Sequence, residues 1–149
     1  MAEVTLRPSI TAEERYDSNP EFGSDDGAHG DFALTLTPEL KLISGTQRSS
    51  LEANYRLSSV IFHRDSVLNY TAHNAMLTVD LNPSTITRIG LKGEYGRSKD
   101  SFDLLDTGVG VRYSDTTIRN LTAGVTRQAT SHLSLTLSAE DSEIEYAEE

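Results

Sequence analysis

From Phe32 to Leu42 one parity carries Phe32, Leu34, Leu36, Pro38, Leu40 and Leu42, and the other carries Ala33, Thr35, Thr37, Glu39 and Lys41. A two-residue period belongs to a strand whose faces meet different surroundings. The same alternation recurs in stretches of about ten residues, joined by alternately short and long connectors. A chain built almost wholly of such segments is an all-β antiparallel up-and-down meander. What the alternation leaves open is the cover of the apolar face, a protein core or a lipid bilayer.

A length of 149 residues fits one domain, the size of a sandwich or a small barrel. Thirteen Lys plus Arg against 23 Asp plus Glu give a net charge of −10. With no basic patch to offset it, that charge repels a nucleic-acid backbone. Apolar runs of only a few residues exclude a membrane-spanning helix, but not a transmembrane barrel, whose strands are apolar at alternate positions only. Cysteine is absent, so thiolate chemistry and disulfides are excluded. Met1-Ala2-Glu3-Val4 leads straight into alternation without the apolar core of a signal peptide, which under a membrane reading implies a signal already removed.

The first strand is expected over Val4–Tyr16, with Pro8 marking it as an edge. A long polar, acidic loop follows through Gly30. The second strand, Asp31–Ile43, turns at Ser44-Gly45-Thr46-Gln47 into a third, in which Leu51, Ala53, Tyr55 and Leu57 share a face. After a connector at His63–Asn69, Ala75, Leu77, Val79 and Leu81 mark a fourth strand. Asn82-Pro83-Ser84-Thr85 turns it into a fifth, with Ile89, Leu91, Gly93 and Tyr95 on one face. Residues 96–105 read as a polar loop. Beyond it the pattern divides: a turn at Ser114-Asp115-Thr116-Thr117 gives eight strands, and one long strand over residues 105–128, turning at Ala129-Thr130-Ser131, gives seven. The last strand is His132–Tyr146. Hairpin centres near 45 and 83 repeat at about forty residues, the length of two barrel strands with their connectors.

Tyr16, Phe32, Tyr55, Tyr70, Tyr95 and Tyr146 are read as lying toward the long loops, and no aromatic residue flanks the short turns near 45 and 83. A one-sided aromatic belt of this kind is expected at a bilayer interface. Opposite the apolar stripe stand Arg7, Glu13, Glu39, Lys41, Glu52, Arg56, Asp80, Arg88, Lys92 and Glu94. In a sandwich they face bulk water, and in a wide barrel they line the lumen. An aromatic content of 7% with no Trp supplies little to fill a sandwich core, which favours lipid.

Leu6-Arg7-Pro8-Ser9-Ile10-Thr11 followed by Tyr16-Asp17-Ser18-Asn19-Pro20 resembles the opening strand and first loop of outer-membrane β-barrel porins associated with exopolysaccharide and exosortase systems of Gram-negative bacteria. Leu36-Thr37-Pro38-Glu39-Leu40-Lys41-Leu42, then Arg48 and Leu51-Glu52-Ala53-Asn54-Tyr55-Arg56-Leu57, is similar to that family's next hairpin, and residues 125–135 resemble a later one. The resemblance implies an outer-membrane location, the lipid bilayer as partner, and a polar solute or polysaccharide as cargo. Members of that family are longer, and outer-membrane barrels commonly end on an aromatic residue. The acidic end Glu145-Tyr146-Ala147-Glu148-Glu149 therefore suggests either a truncated piece of a larger barrel or a last strand that is not an insertion signal.

No catalytic or cofactor constellation emerges. His29, His63, His73 and His132 lack metal-ligand spacing. Asp25-Asp26-Gly27 with Asp17 and Glu21 lacks the spaced ligands of a calcium loop, and an acidic solvated loop is the simpler reading. Gly108-Val109-Gly110 lacks the third glycine and helix of a phosphate site. Glu140, Asp141, Glu143 and Glu145 read as an acidic strand end. Asn69-Tyr70-Thr71 and Asn120-Leu121-Thr122 match glycosylation acceptors of a kind that arises by chance. The expectation is a passive channel or scaffold and no enzyme, without cofactor or metal. The rivals are a soluble β-sandwich or barrel that binds a ligand on its loops, and an extracellular adhesive module.

Overall fold

A computed structural model describes residues 3–20, 30–102 and 112–148. Seven antiparallel strands form one sheet in chain order: β1 (Glu3–Asp17), β2 (Asp31–Gly45), β3 (Ser49–Phe62), β4 (Tyr70–Ser84), β5 (Thr87–Phe102), β6 (Arg112–Thr130) and β7 (Leu133–Glu148). The sheet is an open meander, with β1 and β7 at its margins. A single 3-10 turn, Ser66–Leu68, interrupts the β3–β4 connector.

Seven is thus the number of strands among the described residues, and the eight-strand alternative is corrected. Residues 114–117, one candidate turn, lie inside β6 and pair with both β5 and β7. Asp115, Thr116 and Thr117 suit an extended backbone once neighbours on both sides take their hydrogen bonds. The loop expected from residue 96 is also corrected, because β5 continues through Phe102 against β6. Thr107, Val109, Val111 and the Gly108–Gly110 segment lie outside the described residues, as do Glu21, Asp25, Asp26, Gly27 and His29.

All three short connections lie on one edge. Thr46 organises the first: its hydroxyl accepts from the N–H groups of Arg48 (3.2 Å) and Ser49 (3.1 Å). The second turns at Thr85-Ile86 rather than at Asn82-Pro83, which sit in a register shift between Leu81 and Ser84. The third turns at Ser131-His132. Neighbouring turns are laced together, Asn82 N–H donating to Arg48 O (2.7 Å) and Gln128 N–H to Ile86 O (2.8 Å).

Prolines have positional effects. Pro8 lies in marginal strand β1, and the β1–β2 register runs unbroken through it. Pro38 lies inside the sheet, and the β2–β3 register is interrupted across Thr37 and Pro38. With no N–H there, a side-chain bond between Thr37 Oγ1 and Ser58 Oγ (3.3 Å) spans the gap. Pro38→Ala is expected to restore a ladder bond and stabilise the fold by about 0.5–1.5 kcal/mol, read as a higher denaturant midpoint.

Candidate lumen-lining face

The registers divide the side chains into two faces. One unbroken cross-strand row on the apolar face runs Pro8, Leu40, Tyr55, Ala75, Tyr95, Arg119, Glu143. The next row toward the turns runs Leu6, Leu42, Ala53, Leu77, Gly93, Leu121, Asp141. Many large side chains of this face stand open, from Leu91 at 38% to Leu137 at 79% exposure. No second layer covers them among the described residues.

The apolar stretch does not stay level with these rows. In β1 the first charge on the apolar face is Glu14, opposite Leu34, whereas in β7 it is Asp141, whose row ends at Leu6, eight residues before Glu14. His73 and Arg97 mark the same margin in β4 and β5, and Arg119 marks it in β6, where Arg127 is a further charge on this parity beside the turn. Eight residues at about 3.3 Å against six strand spacings at about 4.8 Å give a slope of about 42°. A band slanting so across the strands is level in space once the strands tilt by that angle, and strands of transmembrane barrels tilt by about 35–45°. Above the margin the apolar face carries ion pairs, Arg97–Asp115 at 2.6 Å and Arg119 to Glu143 at 3.0 Å and Glu145 at 3.4 Å.

The opposite face holds every polar residue that the alternation assigns to it. By register, Arg7, Glu13, Glu39, Lys41, Glu52, Arg56, Asp80, Arg88, Lys92 and Glu94 all stand there. Cross-strand neighbours on β2 and β3 pair, Lys41 Nζ with its diagonal neighbour Glu52 Oε1 at 2.6 Å and Arg56 with Glu39 Oε2 directly opposite at 3.2 Å. Asn54 Nδ2 donates to Glu39 Oε1 (2.8 Å). Arg88 Nε reaches Asn82 Oδ1 at 3.4 Å. Lys92 and Glu94 line a shallow polar hollow with Asn120, Thr122, Glu140 and Ser142, and there Ser142 donates to Asn120 Oδ1 at 2.7 Å. The wall therefore mixes charges of both signs with hydroxyls and amides. Its ion pairs are half exposed, so they shape the local field more than they stabilise the fold.

The six aromatic residues do not share a face. Tyr16 and Phe32 meet at the loop end of the apolar face, 5.1 Å between centroids, and Phe32 lies 6.1 Å from His63. Gly30 lies under the Tyr16 ring, where a Cβ would collide with the hydroxyl. Tyr55 and Tyr95 are also on that face but midway along their strands, and Tyr55 Oη hydrogen-bonds His73 Nδ1 at 2.7 Å. Tyr70, paired with Val60, and Tyr146, paired with Thr116, stand on the charged face. The belt of six is corrected accordingly: closeness to a loop does not fix parity. Of the histidines, His63 faces Glu14 (3.5 Å) and His132 contacts Ser131 (2.9 Å). Among the described residues no group of three acidic or His side chains is placed to hold a metal ion.

Comparison with known families bears on this two-faced sheet. The sequence model of the family described as "Putative beta-barrel porin 2" matches residues 3–149. The chain belongs to that family. No curated protein and no solved structure matches it. In a β-barrel porin the apolar parity faces outward and the polar parity inward, which accounts for both faces with one architecture. Sequence reasoning missed Arg97, Asp115, Arg119, Glu143 and Glu145 as charges on the apolar side, and the signal that finds them is the register, not the local alternation.

Proposed function

We propose that this porin-family chain is a wall of an outer-membrane β-barrel in a Gram-negative bacterium, its apolar face against lipid and its charged face lining a passive path for polar solute. The slanted apolar band carries this reading. A soluble fold needs an apolar patch where a second layer packs, whereas only a planar apolar slab calls for a band that crosses tilted strands at one depth. The asymmetry of short and long connections points the same way. A wall of mixed charge, rich in Ser, Thr and Asn, suits a polyhydroxylated solute, and a polysaccharide in export is the cargo proposed. The chain is proposed to act without catalysis or cofactor, and its net charge disfavours nucleic acid.

The test is light scattering of the signal-free chain in plain buffer and after refolding into detergent, followed by conductance in planar bilayers. The expected result is aggregation in buffer, a heat-modifiable folded band in detergent, and discrete conductance steps. Monodisperse behaviour in buffer would overturn the membrane reading in favour of a soluble binding module. A folded species in detergent without conductance would make the barrel a scaffold.

A further inference from the structure

We infer that the β3–β4 loop, His63–Asn69, is folded onto the charged wall as a fixed constriction of the solute path, with Asp31 as its latch. The inference rests on the channel reading above. The hydrophobic core cluster of the described residues, Ala33, Val60, Phe62 and Leu68 with Tyr70 against it, lies on the charged face at the loop end. Ala33 pairs with Phe62 and Val60 with Tyr70, on the same parity as Glu39 and Arg56. Leu68, 9% exposed, is the loop's contribution, so the loop lies over the polar wall instead of standing off the rim.

Hydrogen bonds fix it there. Asp31, 2% exposed, accepts through Oδ2 from Arg64 N–H (2.9 Å) and Asp65 N–H (3.1 Å) and through Oδ1 from Phe32 N–H (2.7 Å). Asn69 Oδ1 accepts from Phe62 N–H at 2.7 Å, and His63 N–H donates to Phe32 O at 3.0 Å. These contacts tie the start and end of the loop to the ends of β2 and β3. The apolar band on the other face of β2 and β3 reaches as far as Phe32 and Ile61, so the loop lies at the mouth of the path. His63, Arg64, Ser66, Val67 and Asn69 are the exposed members of the loop, Val67 at 87%, and of these Arg64, Ser66 and Val67 are the side chains a passing solute meets.

The absence of cysteine allows a single-thiol test. Val67→Cys, reconstituted as the full chain in a planar phosphatidylcholine bilayer, is treated with a trimethylammonium methanethiosulfonate, and the parent chain is treated identically. Single-channel conductance of Val67→Cys is expected to step down by on the order of a third as the path narrows, while the parent stays constant. Asp31→Ala, which releases the latch, is expected to raise conductance and its noise. Mass-verified labelling of Val67→Cys without a change in conductance would overturn the constriction while leaving the channel intact. A parent chain that never conducts would overturn the channel reading itself, and the constriction with it.

Discussion

Leu36→Arg is expected to destabilise the folded protein in phospholipid vesicles by about 2–4 kcal/mol, whereas Thr117→Arg is expected to cost about 0–1 kcal/mol. Both residues lie on the apolar face. Leu36 pairs with Ala12 and Ser59 midway along the Phe32–Leu42 apolar run of β2, and Thr117 lies between Arg97 and Glu145 beyond the band. The contrast is sharp because of where the rows run. Leu40, four residues nearer the turns than Leu36, shares a row with native Arg119, so distance from the turn edge alone would make Thr117 the deeper site. Depth in a slab gives the opposite order, since the slab follows the slant of about 42°. With no Trp in the chain, guanidinium unfolding followed by far-UV circular dichroism supplies the free energies. Equal costs at the two positions would remove the slanted slab.

That slant also explains which parts of the fold were legible in the sequence. β2 shows its period from Phe32 to Leu42 because nearly all of that strand lies within the band. In β5, Arg97 and Lys99 fall on the apolar parity, and in β6 Asp115 and Arg119 do so as well. There the strand continues after the band has ended, and its alternation dissolves into charge that reads as loop. Local patterning reports the apolar band, not pairing, so strand ends outside the band go unmarked. Tyr70 and Tyr146 escaped for a related reason: their parity is known only through Val60 and Thr116, residues of neighbouring strands. The latch at Asp31 lies furthest from view. It joins residues 33 and 34 positions apart, Arg64 and Asp65, through backbone N–H groups that carry no residue signature. The charged wall, by contrast, was legible residue by residue, because alternation alone separates the two faces.

Thr78→Pro is expected to abolish refolding into detergent or vesicles, while Thr78→Ala refolds and shows heat-modifiable mobility. Thr78 lies on the charged face of β4, the middle strand, and pairs with Glu52 on β3 and Lys92 on β5. Proline removes a ladder donor and forces its ring into a paired neighbour, at about 3 kcal/mol or more in regular structure. In a bilayer the carbonyl left behind has no water to turn to, and each such group costs several kcal/mol. The native prolines mark where the same change is borne. Pro8 lies in a marginal strand, Pro83 lies in a register shift beside a turn, and Pro38 interrupts the β2–β3 register beside the Thr37–Ser58 side-chain bond. Thr78 has none of these reliefs, with unbroken pairing from Ser49–Leu81 to Val60–Tyr70 on one side and from His73–Arg97 to Leu81–Ile89 on the other. Its alanine variant keeps the backbone donor and loses only a hydroxyl on the wall. Refolding of Thr78→Pro to the parent's mobility would mean that water reaches the ladder of β4 from both sides, and a lipid-facing sheet does not permit that.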